Sequence, residues 1–489
     1  MPSTPVVRVR TSDERVLALL RDGVAAIRAE LGVTPDFPPE VVAAAEEAGR
    51  ADVAAGRVDR TDLGFVTLDP PTSQDLDQAV HLTRRGRGYE LHYAIADVAA
   101  FVPAGGPVDT EARRRGQTLY GADSKVPLHP VALSEGAASL LPDQDRPALL
   151  WRLLLDADGA LESTEVTRAL VRSRAKLGYD DTQRRLDAGT AGDRDDVLPL
   201  VRELGLLRQA QEAARGGLAL PLPEQEVEVD DAGRWALRLR SPLPVEEWNA
   251  QLSLATGIGA GGLMVGAGVG LLRTVPPAPP EAVARLRRTA AGLGIAWPEG
   301  VRPSDLIRTL DPARPDHAAL VLAAARLMRG SGYVVLDPAT PLPEEQRVHA
   351  GIAAEYAHVT APLRRLADRF AGEVALAVCA GADVPDWAWR ALSDLPTIMQ
   401  ESGRRAAVYE RAVVDLVEAV LLADRVGEEF DGAVVAVDPE RPTRGTLILR
   451  DLGVEAPLRS ETALPLGQQV RARLTTADPA TRTVRFTPV

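Results

Sequence analysis

Asp69-Pro70-Pro71-Thr72-Ser73-Gln74-Asp75-Leu76-Asp77 places three carboxylates within nine residues, beside two prolines that fix the backbone. The apolar run before it, Gly64-Phe65-Val66-Thr67-Leu68, reads as a strand that delivers Asp69 at its end. Asp75 and Asp77 are two residues apart, so in an extended segment their side chains leave on one face. Hard oxygen donors gathered this way suit Mg²⁺ or Mn²⁺, which favour carboxylate and water ligands. Taken alone, the same residues also describe an acidic surface turn.

The chain of 489 residues has room for two to four domains, and its 45% hydrophobic and 26% charged content is that of a soluble globular protein. Its single cysteine, Cys379, excludes a disulfide framework and a cysteine metal cluster, and fits a cytoplasmic protein. The start, Met1-Pro2-Ser3-Thr4-Pro5, has no apolar secretion core. Leu252 to Leu272 is uncharged and long enough to span a bilayer, but glycine and alanine dominate it. We expect a buried helix running into a Gly-rich turn, and no membrane span. The net charge of −13 argues against a generic polyanion binder, although a local basic groove would suffice to bind one. Nearly all basic residues are arginines, Lys125 and Lys176 being the only lysines.

The texture of the chain suggests an α+β multidomain protein. Residues 1–61 read as a small helical domain, with one run opening at Ser12-Asp13-Glu14 and a second at Pro38-Pro39-Glu40. These describe either a helix-turn-helix or winged-helix-like module or a plain helical cap. Residues 62–425 read as a mixed α/β domain. Hairpins are expected over 79–83 and 89–95, and over 148–155 and 161–168, with a helix from Val108 to a stop at Gly116. Helices dominate from 179 to 424, and Thr360-Ala361-Pro362 is expected to start one of them. Residues 426–489 hold five short strand candidates, the pattern of an OB-fold barrel, with an SH3-like barrel as the competing topology.

Several separated motifs together resemble the RNB catalytic domain of the ribonuclease II family. They are the Asp69–Asp77 stretch, Ile95-Ala96-Asp97-Val98, Glu111-Ala112-Arg113-Arg114-Arg115-Gly116, Tyr120 before Val126-Pro127-Leu128, and Ser139-Leu140-Leu141-Pro142 with Asp145-Arg146. Further on, His349-Ala350-Gly351-Ile352-Ala353 and Tyr356-Ala357-His358-Val359-Thr360-Ala361-Pro362-Leu363-Arg364-Arg365 continue it in order. The closing β-domain is similar to the OB-fold, S1-like RNA-binding domain that ends these enzymes.

The resemblance implies a processive 3′→5′ exoribonuclease that hydrolyses single-stranded RNA to 5′-mononucleotides with Mg²⁺. It implies that Asp69, Asp75 and Asp77 hold the metal, that Tyr120 stacks on the 3′-terminal base and that Arg364 contacts the scissile phosphate, with Arg365 beside it on the RNA. Glu246 falls where the family places a glutamate near the terminal ribose, and the adjacent Glu247 is the alternative. A monomer is expected.

Three departures stand out. Gln78 occupies the place of a fourth acidic residue. In a regular strand it points away from Asp77; if the chain bends, it faces the phosphate with a neutral amide. Only some sixty residues precede the catalytic region, where the family carries a pair of cold-shock barrels. No aromatic residue lies near Leu218 to Leu220 to oppose Tyr120. Gln78 and the acidic net charge leave open a second reading, a catalytically weak or inactive RNB-fold protein that binds RNA. A small-molecule phosphohydrolase is the third class, in which the terminal barrel has no evident task. His81, His92 and His129 read as surface or core residues.

Overall fold

A computed structural model describes residues 14–121, 125–190, 197–221, 223–229 and 235–489, so the Ser12-Asp13 start falls outside the described residues. The strand Phe65–Asp69 forms where the apolar run requires it. The hairpin Gln78–Arg85/Gly88–Ala96 follows, paired from Gln78↔Ile95 to Arg85↔Gly88. Gly88–Ala96 pairs with Asp145–Leu155, which pairs in turn with Leu161–Gly178. That last strand is 18 residues long. Its first part pairs with Asp145–Leu155, and its end runs parallel to Phe65–Asp69, so the strand order closes on itself. Expected to stop at Arg168, it continues because Ala169, Val171 and Ser173 keep the alternating buried face.

This closure positions the acidic stretch. Asp69 ends its strand in register with Gly178. The chain then crosses in an extended loop whose Leu76 is fully buried, which leaves Asp75 and Asp77 on the opposite face. Ser139 pins the loop: its hydroxyl donates to the Gln74 carbonyl at 2.7 Å and accepts the Leu76 N–H at 3.0 Å. The Leu140 N–H adds a bond to the Leu76 carbonyl at 3.0 Å. Because Ser139 is fully buried, Ser139→Ala strands two backbone groups at once. We expect a loss of roughly 1–3 kcal/mol in denaturant unfolding; an unchanged midpoint would contradict this role for Ser139.

Most of the core lies between the closed sheet and a layer of helices. The Gly-rich segment is part of that layer, as the helix Pro244–Ala267, which ends at Gly268 in the left-handed conformation. A Cβ at Gly257 would sit 2.1 Å from the Tyr356 ring, so glycine here permits close packing. By length and composition this helix could cross a membrane, but half of its most apolar window is buried inside the protein. The helix expected at Thr360 instead spans Leu366–Ala380, with Arg365 as its N-cap. Pro362 lies in the preceding loop, whose Ala361 N–H is taken by Asp368 at 2.7 Å.

The two N-terminal helices belong to different cores. Glu14–Glu30 lies on the long helix Leu395–Leu422, where Leu20, Val24 and Ile27 meet Tyr409 and Leu416. Pro39–Ala48 packs on Pro107–Arg115 and shares its core with Phe101 and Leu133. Each helix is therefore held by the body of the chain rather than by the other.

Residues Glu429–Pro488 form a closed five-stranded barrel around Val434, Leu447, Leu474 and Phe486, which is the OB-type arrangement expected. A hairpin, Glu224–Val229/Trp235–Arg240, was not expected in this helical region. Its alternation of Val227, Val229, Trp235, Leu237 and Leu239 is plain, and Trp235 and Leu237 enter the barrel-side core.

Candidate active site

A cavity of about 520 Å³ opens where Phe65–Asp69 ends. The sheet and its loop contribute Asp69, Asp75, Asp77 and Gln78; the short ladder after Gly116 contributes Tyr120; and the loop before Leu366 contributes Arg364. Glu246, Asn249 and Ser253 reach it from the helix Pro244–Ala267, and Tyr179 from the end of the long strand. Six of the seven residues singled out from the sequence thus meet at one cavity. Arg365 does not line it. Its guanidinium forks onto the buried Asp368 at 2.9 and 2.8 Å, a half-buried pair at the helix start.

Asp77 is the hinge of the arrangement. It is 6% exposed, accepts the Leu363 N–H at 2.7 Å, and faces the Arg364 Nε at 3.5 Å. Arg364 itself is fixed through its backbone: its carbonyl accepts the Thr118 N–H, and the Gly116 carbonyl accepts the Leu366 N–H. Gly116 has φ 74°, and a Cβ there would lie 2.5 Å from Ser402, which explains the glycine after the arginine run.

Burial raises Asp69 to about 7 and Asp77 to about 8, against the opposing pull of Arg364 on both. Among the described residues, no three acidic, histidine or cysteine side chains converge as a closed metal site. The donor chemistry still suits Mg²⁺ or Mn²⁺, because three hard carboxylates line one cavity.

The bend at Gln78 is real, because the strand starts there and Gln78 lines the cavity beside Asp77. Its Nε2 donates to the Thr360 carbonyl at 2.7 Å, and the Tyr93 hydroxyl donates to its Oε1. Both ends of the amide are used. Gln78 thus ties the sheet to the Arg364 loop, which Ser253 also grips through Thr360 at 2.8 Å.

Glu246 is settled over Glu247 as the cavity residue. Arg240 holds both of its oxygens, at 2.6 and 3.1 Å, while Glu247 accepts from Gln209 outside the cavity. Tyr179, Asn249 and Ser253 were missed by sequence reasoning. Reading the long strand to its end would have found Tyr179, which follows the residue in register with Asp69. Leu218 and Leu220 pack against a separate core that includes Leu306 and Leu320. The second aromatic lining the cavity beside Tyr120 is Tyr179, whose hydroxyl accepts from Asn249 at 3.3 Å. His129 is buried and pushed down to about 4 by burial, and lies outside the cavity.

The RNB domain family matches residues 57–372, well over half of the chain. The chain belongs to the RNB-domain exoribonuclease family. The RNase II-type C-terminal S1 domain matches residues 428–489, the closed barrel of this RNB protein. Ribonuclease R of Escherichia coli (strain K12) is 29% identical over 431 residues, covering 83% of this chain and 52% of that protein. The chain thus spans about half the length of the curated relatives it matches. In fold it is similar to Mycoplasma genitalium RNase R in complex with ribose-methylated single-stranded RNA, with a TM-score of 0.85 at 20% identity over 96% of this chain and 78% of that one. It is also similar to yeast Ssd1, described as a pseudonuclease, with a TM-score of 0.66 at 15% identity over 88% and 53%.

Proposed function

We propose that this RNB protein is a metal-dependent 3′→5′ exoribonuclease that takes single-stranded RNA into the cavity and releases 5′-mononucleotides. The observation that carries this reading is the meeting of Asp69, Asp75, Asp77, Arg364, Tyr120 and Glu246 in one cavity.

Tyr120 is 43% exposed, as a stacking platform for a terminal base must be. Glu246, preset by Arg240, accepts hydrogen bonds from the terminal ribose hydroxyls. Arg364 offers its outer N–H groups to the phosphate, where charge builds in the transition state. Asp69, Asp75 and Asp77 would hold the divalent ion, which supplies an activated water and a counter-charge when bound. Asp77 also faces the Arg364 guanidinium at 3.5 Å, so the metal-holding acid and the phosphate-binding cation are set side by side.

Removing the Tyr120 ring separates binding from chemistry. Tyr120→Ala is expected to raise KM for single-stranded RNA roughly tenfold or more, from about 1–3 kcal/mol of lost stacking, with a smaller change in kcat. Steady-state kinetics on an unstructured oligonucleotide decides this; an unchanged KM contradicts it.

The competing reading is an RNA-binding protein without turnover, favoured by Gln78, whose amide is fully engaged where a further carboxylate would add charge. Purified protein incubated with 3′-labelled RNA and Mg²⁺ separates the two. Release of labelled nucleotide that stops with EDTA supports the enzyme. Binding without release at any Mg²⁺ or Mn²⁺ concentration supports the alternative.

A further inference from the structure

The hairpin Glu224–Val229/Trp235–Arg240 has two faces of different chemistry. Leu239 stands opposite Gln225 and Leu237 opposite Val227, so these four side chains leave on one side of the ribbon. That side is docked. Trp235 and Leu237 enter the core shared by the barrel and the helix Leu395–Leu422, with Val227 packed against it. Leu239 packs against a small core that includes Val435 and Ile448 of the barrel. The Gln225 amide donates to the Gly453 carbonyl at 2.7 Å and to the buried Glu418 at 2.6 Å. Glu418 also accepts the Glu455 N–H of a barrel strand at 3.0 Å. A two-stranded ribbon alone is marginal in water, so this one takes its place from the barrel and the long helix.

Glu226 and Arg240 leave on the other side of the ribbon. Arg240 joins two elements there. Its Nε lies 3.1 Å from each Glu226 oxygen, which fixes the guanidinium on the hairpin. Its Nη1 and Nη2 donate to the two oxygens of Glu246, at 2.6 and 3.1 Å, in the first turn of the helix Pro244–Ala267. Glu246 lines the cavity and Arg240 does not. With both oxygens held from behind, the carboxylate presents its remaining lone pairs to the cavity in a set direction.

We propose that Arg240 is a positioning residue for Glu246, and that the hairpin makes the seating of the barrel part of the wall that meets the terminal sugar. The barrel thus contributes to sugar selectivity without touching the sugar. This rests on the reading of Glu246 above, and adds what holds it in place.

The test is the binding of two 5′-fluorescent single-stranded RNA probes to the full chain in EDTA, read by polarisation. The probes differ only at the 3′-terminal sugar, which is ribose in one and 2′-deoxyribose in the other. Contacts made elsewhere along the strand are common to both, so the ratio of affinities isolates the terminal sugar. Wild type is expected to favour the ribose probe about tenfold, the scale of one hydrogen bond to a charged acceptor. Arg240→Met should bring the ratio to within about twofold while the deoxyribose probe binds as it does to wild type. Gln225→Ala, on the opposite face of the hairpin from Arg240, should lower the ratio about threefold by loosening the hairpin on the barrel. A general loss of folding or of RNA binding moves both probes together and leaves their ratio alone.

An Arg240→Met chain that melts like wild type and keeps its preference for ribose overturns the proposal. So does a Gln225→Ala chain with the wild-type ratio, because it leaves the barrel out of the sugar site. Should Arg240→Met not fold, Arg240→Lys serves instead. Its single ammonium cannot hold both Glu246 oxygens and Glu226, so the ratio should fall about threefold; an unchanged ratio overturns the proposal. A wild-type chain that binds both probes equally sinks the reading of Glu246 and this inference with it. One that shows the predicted ratios yet cuts no RNA with Mg²⁺ or Mn²⁺ sinks only the exoribonuclease reading.

Discussion

Asp77→Asn is expected to lower RNA hydrolysis by about a thousandfold while making the metal-free chain more stable at neutral pH. On the proposed function the loss follows from removing a charge that would serve the divalent ion and faces Arg364, a contribution on the scale of a strong electrostatic catalytic group. The gain follows from burial. Asp77 is raised to about 8 in the folded chain against an ordinary value of 3.8. Between those pH values the unfolded chain has lost this proton and the folded chain keeps it. The stabilisation is therefore fully present below about pH 4 and is lost as pH rises toward 8, on the order of a few kcal/mol. Asparagine is neutral throughout and its side-chain oxygen can still accept the Leu363 N–H. Denaturant unfolding in EDTA from pH 4 to 8 should show a shallower fall for the variant. The remaining slope comes from the other buried carboxyls, Asp69 and Glu418 foremost, each raised to about 7. Mg²⁺ should stabilise wild type more than the variant, since it binds the folded acids. Parallel pH profiles would contradict the burial account.

Arg364→Ala is expected to reduce kcat by about 10²–10³-fold with little effect on stability. Its side chain is 45% exposed and its contact with Asp77 spans 3.5 Å, so the fold depends on it weakly. Arg364→Lys should recover little, because one ammonium cannot face Asp77 and the phosphate together as a fork does. Single-turnover rates at saturating RNA are the measurement. A lysine variant as fast as wild type would remove Arg364 from the transition state.

Much of the site was legible because its residues lie in short segments with strong local constraints. Asp69 follows an apolar run, Asp75 and Asp77 alternate about a core leucine, and the barrel strands announce themselves by period two. What was not legible depended on tertiary pairing. Tyr179 enters the cavity only because an 18-residue strand continues past Arg168 to pair with Phe65–Asp69. Arg365 reads like Arg364 in sequence, but the helix start at Leu366 turns it onto Asp368. The Thr360-Ala361-Pro362 start failed for the same reason, since a long-range anchor outweighed the local proline signal. Gln78 could point either way until the break before its strand was seen. The hairpin with Arg240 carried a readable alternation, masked by the helical texture on both sides.

The most direct test follows 5′-labelled single-stranded RNA over time with Mg²⁺, comparing wild type with Asp77→Asn at equal RNA occupancy. Wild type should shorten the labelled RNA from its 3′ end to a short 5′ fragment and release unlabelled 5′-mononucleotides, read by chromatography, while the variant binds the same RNA and leaves it intact. RNA left whole by wild type, or shortened equally by the variant, would contradict an aspartate-centred exoribonuclease site.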